Sequence, residues 1–203
     1  YISRIDWFSQ LILEHLLISL VSIVLAVTIG LLLGIWISQH EGIASIVLSI
    51  ANILYTIPSI SLLGMLIPFI GIGDKTAIIA LTIYGIMPMI RNTYTGIKNV
   101  DAEVISAAEG MGSTYVQVMT RVKLPLALSV IIAGVRNVVV MTLSVAAIAS
   151  FIGAGGLGVA IYRGITTYTP EMTFAGGLMI ALLALVCDFL LGRIEKAIKR
   201  RRM

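Results

Sequence analysis

The chain has 203 residues, of which 59% are hydrophobic and only 12% charged, with a formal net charge of +4 and a mean hydropathy of +1.05. A soluble domain is about 45–50% apolar and about 25% charged. This chain lacks the polar surface to cover its interior in water, so a water-soluble monomer and a disordered chain are both excluded. The single cysteine, Cys187, excludes a disulfide framework and a Cys-rich metal site. The composition is that of an integral membrane protein, whose partner is the lipid bilayer and not nucleic acid.

A helix needs about 20 apolar residues to cross the roughly 30 Å hydrocarbon core. Residues 16–39 are uncharged and rich in Leu, Ile and Val, between Glu14–His15 and His40–Glu41, and form the first expected span. It is too long for a signal-peptide core and has no basic flank, so it is expected to remain in the mature protein. The first residue is Tyr1 rather than Met, and a few upstream residues are expected. Within this span Gly30-x-x-x-Gly34 lets two helix backbones approach closely, either inside the subunit or at a subunit interface.

The second span is expected over about 43–70, as one helix kinked at Pro58 and Pro68 and followed by a short non-spanning piece that reaches Gly71-Ile-Gly73. The third is about 76–97, with Arg91 near one end, the fourth about 124–150 and the fifth about 172–193. Pro58 and Pro88 each remove a helix hydrogen bond and are expected to bend their spans, which suits a gated pathway. No internal repeat and no low-complexity tract is visible, and residues 1–203 read as one transmembrane domain.

Several chemistries are tempting and fail. Gly153-x-Gly155-x-x-Gly158 matches the dinucleotide fingerprint, but the strand, the helix and the acidic residue of a soluble βαβ unit are lacking. It reads as a flexible or tightly packed turn at the membrane surface. No Gly-x-x-x-x-Gly-Lys-Ser/Thr loop exists in the sequence, so any ATP hydrolysis belongs to another polypeptide. His15 and His40 flank one span, cannot meet within a monomer and read as interfacial residues. No catalytic residue and no metal ligand set emerges, and the chain is not expected to be an enzyme.

Lys and Arg accumulate on the cytoplasmic side of membrane proteins. With the C-terminus inside, the inner segments hold Arg91, Lys98, Arg121, Lys123 and the run from Arg193 to Arg202, whereas the outer ones hold Arg4, Lys75 and Arg163. Arg136 lies inside the fourth span. A charge at the bilayer centre is expensive, so Arg136 faces the bundle interior, snorkels to the inner surface or meets substrate. Asp188, one turn from Arg193, reads as an interfacial residue. An otherwise uncharged pathway suits a cation or zwitterion held briefly by aromatic faces, for which Tyr55 and Tyr84 are the candidates.

Segment 98–123 is the only long stretch that mixes both charge signs, and it is organised as two short helices. Asp101 suits an N-cap, with Glu103 favourable in the first turn. Val104, Ala107 and Ala108 fall at i, i+3 and i+4 on one small-residue face. Gly110 and Gly112 end the helix, Gly112 being suited to a left-handed cap. Thr114-x-x-Gln117 is a capping-box pattern that restarts a helix at once, and Pro125 is expected to start a further one. A small-residue face on an aqueous loop is a docking surface, or else part of an ordinary connector.

The pattern Ala107-Ala108-x-x-x-Gly112, followed by Val122-x-Leu124-Pro125, resembles the cytoplasmic EAA loop of permeases in binding-protein-dependent ABC importers. Ser106 stands where that family often has Glu, and Val122 where Ile is common. Pro58-Ser-Ile-Ser-Leu-Leu, Ile67-Pro68-Phe-Ile-Gly-Ile-Gly73, Tyr84-Gly-Ile-Met-Pro88-Met-Ile-Arg91-Asn92-Thr93-Tyr94-x-Gly96 and Phe151-Ile-Gly-Ala-Gly-Gly-Leu-Gly158 are similar to the branch that imports quaternary ammonium osmolytes. Glycine betaine, choline and carnitine are the usual substrates there, and related permeases for methionine share several of these features.

The resemblance implies an all-α integral membrane protein with about five transmembrane helices and a cytoplasmic two-helix coupling loop, the MetI-like permease fold, in a bacterial-type cell membrane. It implies a second permease subunit (identical or related), two ATPase subunits that carry ATP and Mg, and an extracellular substrate-binding protein. Ser106, Ala107, Ala108, Glu109, Gly112, Leu124 and Pro125 would then form the ATPase-coupling surface. Tyr55, Pro58, Tyr84, Pro88 and Arg136 are the pathway or gating candidates. An ATP-independent secondary transporter is the competing class, although such proteins often carry internal repeats and intramembrane ionisable residues.

Overall fold

The computed structural model describes residues 2–200, with side chains from 5 to 197. Tyr1, Arg201 and Arg202 lie outside the described residues, as do the side chains of Arg4, Lys199 and Arg200. The described residues are mostly helical and contain no strand.

Nine α-helices follow one another: α1 (Ile2–Ile37), α2 (Glu41–Thr56), α3 (Ser59–Ile70), α4 (Asp74–Lys98), α5 (Ala102–Gly110), α6 (Tyr115–Gln117), α7 (Leu124–Ala149), α8 (Gly158–Thr166) and α9 (Pro170–Arg200). Three stretches are long and apolar enough to cross a membrane alone, namely Ile5–Ile37, Tyr115–Ile152 and Pro170–Ala197, and α2 with α3 makes a fourth when taken together. Helix α4 is the central element. Its Thr76, Ala77, Ala80, Leu81, Tyr84, Met89, Ile90, Thr93 and Ile97 are buried against its neighbours. Asp74 in its first turn and Lys98 in its last complement the helix dipole.

Helix α1 lies directly on α4 through the small-residue pair. A Cβ on Gly30 would sit 2.6 Å from Met89 Cβ, and one on Gly34 would sit 2.6 Å from Thr93 Cβ. The pair therefore serves packing inside the subunit. Gly34→Val is expected to lower the thermal midpoint of the detergent-extracted protein, because overpacking of this kind costs about 1–3 kcal/mol. An unchanged midpoint would show that α1 and α4 are not held at this separation.

Three expected boundaries move. The second span breaks at Ile57–Pro58, where α2 and α3 meet at 97°, whereas Pro68 sits inside α3. Proline pushes its predecessor out of the helical region, and Ile57 is extended at φ −66°, ψ 126°. Helix α4 runs unbroken across Pro88. The second helix of the loop does not end before Pro125. It continues from α6 through a π-helical segment, Val118–Lys123, into α7. Pro125 brings no N–H and its ring crowds the carbonyl four residues back, which the wider π turn accommodates. Residues from both loop helices are thus mechanically continuous with a membrane span or one short turn from it.

The elements define two ends. Ile37, Glu41, Lys98 and the 99–123 loop gather at one, where a core of Ala26, Met89, Ile97, Met119, Ala127, Ile131 and Val138 joins α1, α4 and α7 to the loop. Leu11, Leu157, Ala160 and Ile180 join α1, α8 and α9 towards the other.

Candidate functional site: a coupling loop, an elbow and a charged clamp

Helix α5 starts where Asp101 accepts from the Glu103 N–H at 2.8 Å. It stops at Gly110, and Gly112 turns the chain at φ +82°, a left-handed conformation that glycine adopts without steric cost. Thr114 and Gln117 form the reciprocal capping box, with Thr114 N–H to Gln117 Oε1 at 2.8 Å and Gln117 N–H to Thr114 Oγ1 at 3.4 Å.

Ser106, Ala107, Glu109 and Gly112 are exposed on this loop. Ala108 is not, being buried on the inner side of α5, and Leu124 is half-buried against the core shared by α1, α4 and α7. Pro125 is also half-buried. These three residues hold the loop in place and do not form its outer surface. That surface carries instead Met111, 82% exposed, Val116, 67%, and Tyr115, 57%, with Val104 beside them. Three large side chains close on either side of Gly112 are the sequence signal for them.

At the same end Lys98 Nζ donates to Glu41 Oε1 at 2.5 Å and ties α2 to α4. That hydrogen bond, and then the ammonium charge, hold the Glu41 carboxyl below the usual carboxylate range. A depressed acid contributes stability above its unfolded pKa and loses it as pH falls through the folded one. Glu41→Gln is therefore expected to change little at low pH and to remove a small stabilisation at neutral pH, small because exposed pairs are screened. Thermal midpoints of both proteins across this range check the sign; a larger difference at low pH than at neutral pH would contradict it.

The two tyrosine candidates meet. Tyr55 at the end of α2 and Tyr84 of α4 stack edge to face, with ring centroids 6.0 Å apart. The buried Tyr84 hydroxyl donates to the Ile57 carbonyl, which the extended conformation of Ile57 turns out of the helix at the bend. Tyr55, half exposed, donates to Met141 Sδ of α7 at 3.5 Å. Pro58, Tyr55 and Tyr84 thus form one elbow. Pro88 lies one turn along α4, and its carbonyl accepts from Asn92 Nδ2 at 2.8 Å.

Arg136 is remote from that elbow. Its Nε donates to Asp188 Oδ1 at 2.5 Å, one terminal nitrogen to Asp188 Oδ2 at 2.7 Å and the other to Glu195 Oε2 at 3.2 Å. Gly192 leaves room for the guanidinium, since a Cβ there would sit 3.3 Å from Cζ. Asp188 is accordingly not a lone interfacial group but half of a forked ion pair that clamps α7 to α9. The need of Arg136 for a counter-charge was the signal for it.

The glycine turn is tightly packed. Gly155 N–H donates to Asp74 Oδ1 at 2.9 Å and Gly156 N–H to Glu14 Oε2 at 3.0 Å. The backbone donors that a phosphate would need are taken by carboxylates, which also repel it. His15 is buried beside this turn, with Nε2 3.0 Å from the Leu143 carbonyl oxygen. It is a core residue and not an interfacial one, because α8 and its turn cover that end of α1. His40 remains exposed, with Nδ1 2.9 Å from the Trp36 carbonyl oxygen.

A helical bundle with several helices long and apolar enough to cross a membrane, and a capped two-helix loop at one end, defines the class: a multi-pass membrane protein. The chain belongs to the binding-protein-dependent transport system inner membrane component family, whose model matches residues 11–201. It is 39% identical over 194 residues to the carnitine transport permease protein OpuCB of Listeria monocytogenes, covering 93% of this chain and 89% of that one. It is 41% identical over 194 residues to the osmoprotectant import permease protein OsmW of Salmonella typhimurium, covering 93% and 90%. The choline transport system permease protein OpuBB of Bacillus subtilis is 38% identical over 183 residues, covering 90% and 84%. Among solved structures, an inward-facing conformation of the MetNI methionine ABC transporter matches with a TM-score of 0.88 at 25% identity, covering 96% of this chain and 98% of that one.

Proposed function

We propose that this chain forms the translocation pathway of an ATP-driven importer for a small quaternary ammonium osmolyte such as glycine betaine, carnitine or choline. The observation that supports it most directly is the identity of about 40% along nearly the whole chain to permeases named for carnitine, choline and osmoprotectants. The loop end faces the cytoplasm, as the positions of Arg91, Lys98, Arg121 and Lys123 favour, and the C-terminus lies on that side. Two ATPase subunits supply ATP and Mg chemistry, one seated on each copy of a permease pair, identical or related. An extracellular binding protein delivers solute at the end that carries Glu14, Asp74 and the glycine turn.

Ser106, Ala107, Glu109 and Gly112, framed by Met111, Tyr115 and Val116, are the coupling surface. Leu124 and Pro125 transmit its movement, because α6, the π segment and α7 form one continuous rod, and Ala108 lies on α5, which packs against the π segment. Closure of the ATPases on nucleotide would displace the loop and with it α7, which adjoins the elbow through Met141 and α9 through Arg136. The tyrosine elbow offers aromatic faces to a cation without a fixed charge to trap it.

The test is purification of the tagged chain in mild detergent from its own membrane, with co-purifying proteins identified by mass. A near-stoichiometric ATPase, whose hydrolysis rises when solute-loaded binding protein is added, is the expected result. A stable permease without ATPase in several detergents, together with uptake in ATP-depleted energised vesicles, would overturn the proposal in favour of a secondary transporter.

A further inference from the structure

The exposed faces of the long helices are not alike. Between Leu13 and Trp36 the exposed residues of α1 are Leu, Val, Ile and Trp, apart from Thr28, and those of α9 from Phe174 to Leu190 are all apolar. Such faces suit hydrocarbon. Helix α2 differs. Ser45, Ser49, Asn52 and Thr56 are all exposed and recur at i, i+4, i+7 and i+11. At 3.6 residues per turn they fall within about 60° of arc. Ile46, Ile50 and Ile53 are exposed on a separate arc of the same helix.

Two further observations place this stripe. It leads from the Glu41–Lys98 end of α2 to the Pro58 elbow, where the Tyr55 hydroxyl reaches Met141 of α7. On α7, Asn137 and Ser144 lie four residues before and three after Met141, on the same helix face, and both are exposed. Of these six polar side chains Thr56 and Ser144 return a hydrogen bond to their own helix, to Ile53 O at 2.7 Å and Val140 O at 2.9 Å. Among the described residues neither Asn52 nor Asn137 has a partner. An unpaired amide in hydrocarbon is costly, and two on helices that meet through Tyr55 and Met141 call for water or a polar solute.

We infer that Ser45, Ser49, Asn52 and Thr56 of α2, with Asn137 and Ser144 of α7, line a hydrated half-channel between the tyrosine elbow and the coupling-loop end. The inference rests on the permease reading and names the wall of its exit path. The wall is neutral and hydrogen-bonding. It replaces part of the hydration shell of a small zwitterion or organic cation, and it holds no counter-ion that would retain it. The adjoining isoleucine arc faces lipid or a neighbouring subunit.

The test uses the assembled importer with Cys187→Ser as parent. Ser45→Cys, Ser49→Cys, Asn52→Cys and Thr56→Cys are compared with Ile46→Cys, Ile50→Cys and Ile53→Cys. The probe is the membrane-impermeant cation 2-(trimethylammonium)ethyl methanethiosulfonate, applied to inside-out membrane vesicles. Labelling at least tenfold faster along the stripe than along the isoleucine arc is expected, with loss of uptake on modification of Asn52→Cys. Equal rates, or faster labelling of the isoleucine arc, would overturn the inference. Disulfide cross-linking of stripe cysteines between two permeases without labelling would also overturn it and make the stripe a contact between copies. Rates are read between positions one turn apart, so a variant that fails to assemble is replaced by the next position of its own arc. ATP dependence of uptake by the parent tests the permease reading separately: a parent that transports on ATP without the labelling pattern defeats the inference alone.

Discussion

Replacing Gly112 with aspartate is expected to abolish coupled uptake, by more than tenfold, while the permease still accumulates in the membrane. Gly112 sits at φ +82° at the end of α5, where its N–H donates to Glu109 O at 2.9 Å and the next N–H, of Ser113, to Ala108 O at 3.2 Å. An L-residue in this conformation costs about 1–2 kcal/mol, with Asp and Asn among the best tolerated. A Cβ there meets nothing within 4 Å, so the new side chain projects from the surface without disturbing the fold. On the proposed reading, what changes is the face offered to an ATPase subunit, beside the exposed Met111 and Tyr115. A tenfold loss of docking corresponds to about 1.4 kcal/mol, and a desolvated carboxylate without a partner supplies at least that. Gly112→Asn has the same size and backbone tolerance without the charge, and is expected to lose less. Co-purified ATPase and solute uptake are the two readouts. Wild-type uptake by Gly112→Asp would sink the coupling assignment.

The second large effect is expected from Asp188→Asn. It removes the carboxylate that holds Arg136 through Nε and a terminal nitrogen, and leaves only Glu195 at 3.2 Å. A guanidinium without its fork partner, between two membrane helices, is expected to lower the melting temperature in detergent by several degrees and to reduce the extracted yield. Arg136→Lys is expected to behave similarly, because a single ammonium cannot reproduce two parallel donors. The combined Arg136→Leu and Asp188→Leu protein is expected to regain stability, since replacing both members of an ion pair with apolar residues is often neutral. If it also regains uptake, the clamp only holds α7 to α9. If it is stable but inactive, the charge pair takes part in the movement. A melting temperature for Asp188→Asn equal to that of the parent would show that the pair does not hold these helices.

Much of the architecture was legible because it rests on local rules. The caps at Asp101 and Thr114–Gln117 and the left-handed Gly112 each follow from residues within four positions of one another, and each stands where the pattern put it. The Gly30–Gly34 spacing announced a close helix contact, but both partners, Met89 and Thr93, lie more than fifty residues away and no local pattern names them. The course of the chain at its prolines has one physical cause. The break at Pro58, the tolerance of Pro68 and Pro88 and the passage across Pro125 depend on whether the surrounding helix can satisfy or widen around a freed carbonyl. Tyr84 pairs with the Ile57 carbonyl that the bend turns out of the helix, and the π segment widens before Pro125.

The candidate surface of the loop was half legible. Ser106, Ala107, Glu109 and Gly112 are exposed, but helical periodicity could not tell that Ala108 turns inward, because a short amphipathic helix has no intrinsic outside. Likewise Tyr55 and Tyr84 were named for their chemistry alone, and the packing of α2 against α4 is what brings their rings together.

By itself the sequence determined that this is an all-helical membrane protein, where its caps and turns fall and which family its loop resembles, because hydropathy and capping act over one helix or less. Tertiary structure alone decided that Arg136 answers Asp188, that Glu14 and Asp74 occupy the glycine turn and that Tyr55 of α2 reaches Met141 of α7. Those pairings join residues 50 to 140 positions apart, and their energies depend on distance in space, which no window along the chain contains.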